Sequence, residues 1–306
     1  VNKLRIFVSL ITEGNDYQQE QAATARTAAR DLGVDVEIAF ADGDSITQST
    51  QILKSIQADP VLRSSAVIVE PVGGTGLPQV AKAANAVGIG WGLLNREADY
   101  IAELRRGSQT PTFVVTSDHV EIGSIQAKQL AAMLPDGGSV LYILGPTESA
   151  AARDRKAGFE AACPNNVQIL SVRGKWTEES SHNSVTTWLK LGGAAKASVR
   201  AIVAQNDAMA MGARNAFEKC GDPQERVKWL SLPFTGCDGL AKTGQAWVRQ
   251  GLLAATVITP PMAGLAVQLM TAALRTGKMV PMRTVTQLES YPPIEKLPKL
   301  QNKAIP

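Results

Sequence analysis

Residues 3–40, KLRIFVSLITEGNDYQQEQAATARTAARDLGVDVEIAF, decide the fold. KLRIFVSL is a short apolar run that reads as a strand, YQQEQAATARTAARDLG as a helix stopped by Gly33, and VDVEIAF as a second strand. The same succession continues outward. SITQSTQILKSIQ, SAVIVEP, LPQVAKAANAVG, GIGWGLL and TFVVTS follow, with Gly88 closing a helix after ANAV. Then come EIGSIQAKQLAAML, SVLYILG, SAAARDRKAGFEAAC, VQILSVR, SHNSVTTWLKL, RAIVA, DAMAMGARNAFEKC with Asp207 at its start, VKWLSL, LAKTGQAWVRQ and LAATVI. Strand and helix alternating almost end to end predicts α/β architecture, with parallel sheets covered by helices on both faces. Five or six strands fall before Thr116 and five more between 139 and 258, so two doubly wound sheets in tandem are expected. No proline-rich or Ser/Gly-rich linker separates them, and the boundary near Thr116 should be a direct strand-to-helix crossing. From Met279 the chain carries Pro281, Pro292, Pro293, Pro298 and Pro306, which predicts strand and extended chain wrapping back over the domains.

A length of 306 residues suits two domains. With 44% hydrophobic and 19% charged residues the composition is globular. A formal charge of +3, scattered along the chain, argues against nucleic acid or an anionic membrane as partner and leaves a small molecule. No apolar run reaches the roughly 18 residues of a membrane span, and VNKLRIFVSL lacks the pattern of a cleavable signal. Cys163, Cys220 and Cys237 match neither a disulfide framework nor a zinc pattern and are expected to be buried apolar residues. His119 and His182 are expected at the surface or as caps, so imidazole catalysis, a metal and a cofactor are all unexpected.

In open α/β sheets ligands meet the carboxyl ends of strands. After the first strand comes ITEGNDY, after GIGWGLL Asn95-Arg96, and after SVLYILG PTESAAARDR. Gly174-Lys175-Trp176 follows VQILSVR, Gln205-Asn206-Asp207 follows RAIVA, and Cys237-Asp238-Gly239 lies beyond VKWLSLPF. Each has a plain structural use as a cap or turn. Six such sets drawn from both sheets look like two walls of one cleft. Enzyme signals fail on context: Gly43-Asp44-Ser45 has no downstream Asp-x-x-His, so Asp44 and Ser45 are expected to cap SITQSTQIL. VGGTGLP lacks the pattern of a phosphate loop and reads as a turn.

AARDRKAGF after a glycine-terminated strand, AQNDAMAMGARNAF after RAIVA, the GCDG turn and LAATV together resemble the ribose-binding-protein-like, type I periplasmic sugar-binding proteins, whose relatives include the sensor domains of LacI-type regulators. The resemblance covers nearly the whole chain. It implies two lobes, residues 1–116 with 260–283 and 117–259 with 284–306, joined by crossings near Thr116, Thr259 and Thr284, which close over a sugar and deliver it to an ABC permease in the inner membrane. The implied protein is a periplasmic monomer with its signal removed, not an enzyme. Asn15 and Tyr17 fall on a polar contact and a stacking aromatic, Asn95 and Arg96 on an Asp-Arg pair, and Arg153 on the first arginine of AARxR. Trp176 matches a stacking aromatic, Asn206 the Asn of AQND, Asp238 the acid of the turn, and Thr259 a position near the hinge. Such residues suit a sugar, whose hydroxyls want paired donors and acceptors and whose C–H faces want aromatic cover.

Three positions depart from the pattern: Asn95 replaces an Asp, Gln18 a second aromatic and Thr259 a Gln. These point away from ribose and toward a polyol, a deoxy or keto sugar, or a sugar acid, with the ligand bringing a hydrogen-bond acceptor to Asn95. The alternative implied by the resemblance is a ligand-sensing domain of a LacI-type regulator or sensor kinase; a first strand at Leu4 is expected to leave no room for DNA-binding helices.

Overall fold

The computed structural model describes residues 3–73, 77–106, 108–191 and 198–300. Along the chain run β1 (Arg5–Leu10), α1 (Asp16–Leu32), β2 (Asp35–Phe40), α2 (Ser45–Gln57), β3 (Ala66–Val69), α3 (Pro78–Ala86), β4 (Gly90–Leu94), α4 (Tyr100–Arg106) and β5 (Thr112–Thr116). Next come α5 (His119–Met133), β6 (Gly138–Leu144), α6 (Ala150–Ala162), β7 (Val167–Arg173), α7 (Glu178–Lys190), β8 (Val199–Ala204), α8 (Asp207–Glu218), α9 (Pro223–Leu230), β9 (Phe234–Thr235), α10 (Gly244–Arg249) and β10 (Thr256–Ile258). The chain ends with α11 (Ala263–Thr276), β11 (Arg283–Val285) and β12 (Glu289–Tyr291). It divides into two compact units: the chain up to Ser117 with Pro261–Thr286, and Asp118–Pro260 with the chain from Gln287.

The first unit holds a six-stranded sheet in the order β11-β5-β4-β3-β1-β2, with every neighbouring pair parallel. Alternate side chains leave a strand on opposite faces. Ile6, Val8 and Leu10 of β1 and Ile68 of β3 meet the alanines of α1 and Ala266, Val267 and Met270 of α11. Phe7, Val67, Val69 and Trp91 go to the other face, under Ile52 and Ile56 of α2, Val80 and Ala84 of α3, and Leu104 of α4. Burial on both faces explains why these strands are unbroken apolar runs.

The second unit repeats the plan with a four-stranded parallel sheet, β7-β6-β8-β9, and a separate antiparallel pair, β10-β12. Val140, Tyr142 and Leu144 pack with α5 and α6 through Leu130 and Phe159. Leu141 and Ile143 take the opposite side with Val185, Met209, Phe217 and Trp229. Helices α5 and α6 approach backbone to backbone: a Cβ at Gly123 would strike the Arg155 carbonyl, and one at Gly158 the Val120 carbonyl.

Local signals read from the sequence recur in the structure. Gly33 ends α1 at φ 64°, and Asp44 caps α2 by accepting from the N–H groups of Ile46 and Thr47, with Ser45 the first helical residue. Helix α8 starts at Asp207 as expected, with Asn206 before it as the cap. Two expectations need correction. Cys237 is buried, but Cys163 and Cys220 are only half-buried. His119 neither lies at the surface nor caps, because Asp118 caps α5 and His119 is buried behind it. Gly74-Thr75-Gly76 of the VGGTGLP turn lie outside the described residues.

Candidate functional site

In the first unit the candidate residues gather at the carboxyl ends of β1, β3 and β4. Asn15 caps α1, its Oδ1 accepting from the N–H groups of Tyr17 at 2.9 Å and Gln18 at 3.3 Å. Tyr17 is buried in the first turn that this cap holds. Asn95 and Arg96 follow β4, tied down by the Asn95 N–H to the Val115 carbonyl at 2.8 Å, and Arg96 is buried. At their centre is a residue that sequence reasoning passed over, Glu70 at the end of β3. Its carboxylate accepts from Gln18 Nε2 at 2.9 Å, Gln21 Nε2 at 3.4 Å and Asn95 Nδ2 at 3.0 Å.

Each of those glutamines also carries a backbone group. Gln18 Oε1 accepts from the Ile11 N–H, and Gln21 Oε1 from those of Met262 and Ala263, which open α11. Gln48 donates to Ser9 Oγ and the Glu70 carbonyl and accepts from the Val72 N–H. Buried amides of this kind must satisfy both ends. The departure at Gln18 thus has a structural use, joining the β1 end to the Glu70 carboxylate.

In the second unit Trp176 follows β7, half-buried, with its ring over Gly145, where a Cβ would collide with it. The Arg155 guanidinium lies 5.5 Å from the ring centroid, within cation–π range. Arg155 is buried, donating to the Gln205 carbonyl and, through Nε, to His119 Nδ1 at 3.3 Å. Arg153, the arginine singled out from the sequence, is exposed on α6. Spacing held the signal: the buried residues of α6 are Ala151, Ala152, Arg155, Gly158 and Phe159, a helical stripe that includes the second arginine and skips the first.

Asn206 bridges two elements, its Oδ1 accepting from the Met209 N–H at 2.9 Å and its Nδ2 donating to the Trp176 carbonyl at 3.0 Å. Gln205 donates to Tyr142 Oη and the Ala152 carbonyl and accepts from the Gly145 N–H. Burial raises the Tyr142 phenol and the Cys237 thiol well above their ordinary values, so both are neutral packing groups. Asp238 is buried, and its carbonyl accepts from Thr259 N–H at 3.0 Å and Oγ1 at 3.3 Å. Thr259 therefore braces the Asp238 backbone. Asp207 braces the same turn, taking the Gly239 N–H at 2.8 Å and Thr256 Oγ1 at 2.7 Å.

Four non-glycine residues among those described adopt positive φ: Asp42 (51°), Asn95 (57°), Trp176 (66°) and Asp238 (114°). This conformation is disfavoured for side chains with a Cβ and clusters at functional sites. Three of the four are residues chosen from the sequence as ligand contacts. No group of three or more His, Cys, Asp or Glu that could hold a metal occurs among the described residues, and no helix among them is long and apolar enough to cross a membrane.

The chain resembles proteins of known role along most of its length. It is 25% identical over 305 residues to the galactofuranose-binding protein of Escherichia coli, covering 98% of this chain and 91% of that one. It is 30% identical over 182 residues, 58% of this chain, to the ribose import binding protein of Haemophilus influenzae. The chain spans only 58% of that relative's length, and 61% of a Rhizobium meliloti relative 28% identical over 200 residues. The crystal structure of a galactofuranose binding protein superposes with a TM-score of 0.80 at 23% identity, covering 94% of both chains, and so shares the fold. The pattern of the periplasmic binding protein domain family matches residues 6–279, and the chain belongs to that family.

Proposed function

We propose that the protein is the solute-binding component of an ABC importer, capturing a sugar or sugar-like polyhydroxyl molecule in the periplasm and presenting it to a membrane permease, without catalysis. The observation that carries this reading is the backbone strain at Asn95, Trp176 and Asp238, each following a strand and each bearing a group suited to a sugar. A positive φ at a bulky tryptophan costs about 1–2 kcal/mol, which the fold tolerates where a side chain must be aimed. Arg96 and Arg155 supply planar donor forks, Asp238 an acceptor pair, and Tyr17 and Trp176 apolar faces for C–H groups. These groups match hydroxyls and ring hydrogens, and they include no activated nucleophile.

The test is a thermal-shift screen over ribose, galactose, arabinose, allose, xylitol and myo-inositol. A ligand at 100 times its dissociation constant adds about 2.7 kcal/mol to the stability of the protein that binds it. At least one of these compounds is expected to raise the melting temperature by several degrees. A flat response to all of them, with turnover of a generic ester or nucleotide, would replace this reading by an enzymatic one.

A further inference from the structure

Glu70 is 1% exposed, and its three side-chain donors are all neutral amides. Among the described residues no ion pair includes it. A buried carboxylate met only by amides keeps a field that reaches its neighbours, because little water is present to screen it. The carboxylate also decides how Asn95 sits. It has no hydrogen to give, so the atom of Asn95 that faces it is the amide nitrogen, and the carbonyl oxygen is turned away. The negative charge of this strand-end cluster is thus lodged at 70, one strand away from 95 and behind its amide.

We propose that Glu70 sets the charge class of the ligand: the wall formed by Glu70 and Asn95 accepts a neutral polyhydroxyl molecule and rejects its carboxylate-bearing counterpart. This rests on the solute-binding reading and narrows it. It also reverses the expectation that the ligand brings an acceptor to Asn95, since an anionic acceptor there would stand next to the buried Glu70 charge. Arg96 is buried at the same strand end, and none of the ion pairs among the described residues includes the Glu70 carboxylate.

The experiment is calorimetric titration of the wild type, Glu70→Gln, Asn95→Asp and the double variant Glu70→Gln/Asn95→Asp. The probes are galactose with galacturonate, ribose with ribonate, and xylitol with xylonate. The wild type is expected to prefer a neutral member over its acid by tenfold or more, an order-of-magnitude figure for like charges brought together. Glu70→Gln should narrow that preference about tenfold, and the double variant, with the charge returned to 95, should restore it. Asn95→Asp, which sets a second carboxylate against the first, should weaken the neutral ligand about tenfold, and it carries the test if Glu70→Gln does not fold. A wild type that binds an acid as tightly as its neutral partner overturns the proposal alone. So does a Glu70→Gln protein, or an Asn95→Asp protein standing in for it, that melts earlier but keeps the wild-type affinities. Binding of no probe by the wild type overturns both the proposal and the reading beneath it.

Discussion

The side-chain amide of Asn206 holds the backbone carbonyl of Trp176 at 3.0 Å, joining the cap of one helix to a residue in the left-handed region on another strand end. The same side chain caps α8 through the Met209 N–H. The two tasks use different atoms and can be separated. Asn206→Ala removes both, and the lost cap alone costs about 1 kcal/mol. Asn206→Asp keeps the capping oxygen but faces the Trp176 carbonyl with an acceptor. The Asp variant is expected to hold a urea midpoint above that of the Ala variant, while both lose ligand affinity by roughly tenfold. Calorimetry with the best ligand of the screen checks the second half; equal affinities for wild type and Asp variant would separate Asn206 from binding.

Gly145 offers a route to Trp176 that leaves the tryptophan in place. A Cβ at 145 would occupy the space of the indole ring. Gly145→Ala should displace the ring, alter its fluorescence and weaken the ligand several-fold, approaching the effect of Trp176→Ala. A stacked aromatic contributes about 0.5–1.5 kcal/mol beyond its buried area. If Trp176→Ala binds normally and only melts earlier, the ring is a core group.

Asp207 accepts from the Gly239 N–H and Thr256 Oγ1 from a buried position. Asp207→Asn keeps the shape but turns one acceptor into a donor. A loss of about 1–3 kcal/mol is expected in urea unfolding, and the Asp238 turn loosens with it. Thr256→Val removes one of the two bonds and should cost less.

Burial pushes the Tyr100 phenol up to about 12, against a hydrogen bond from Trp91 that acts in the opposite sense. Tyr142 is raised further by the same cause. A phenol whose folded value lies above its unfolded value of about 10 is held neutral in the fold. Its contribution to stability is whole below pH 10 and is lost as pH rises from there through the folded value. Phenolate absorbance of these two tyrosines should therefore emerge with unfolding, and the urea midpoint should fall above pH 10. Smooth ionisation of every tyrosine near pH 10 in the folded protein would contradict their burial.

The sheets were legible because strands buried on both faces, such as AVIV in β3 and TFVVT in β5, must be apolar throughout and stand out between amphipathic helices. The strand-end residues were legible because polar groups directly after such runs need a use. Glu70 was not, since one acid before a proline has no pattern, and its partners Gln18, Gln21 and Asn95 meet only when three strand ends are brought together. The motif points to Arg153 where helical period favours Arg155. The burial of His119 is not legible locally because its contact with Arg155 links α5 to α6, a pairing that no local window contains.

Strand β11 completes the edge of the first sheet beside β5, yet 166 residues separate Thr116 from Arg283, and the whole β6–β10 stretch is made in between. During synthesis the β5 edge therefore stays open, with unpaired N–H and C=O groups, until Arg283 and Thr284 emerge to cover it. Helix α11, which closes one face of the same sheet through Val267 and Met270, arrives equally late. The first unit to begin is thus among the last to finish. A nascent chain interrupted before β11 presents both a bare edge and an uncovered apolar face, the state in which a holdase chaperone has most to grip.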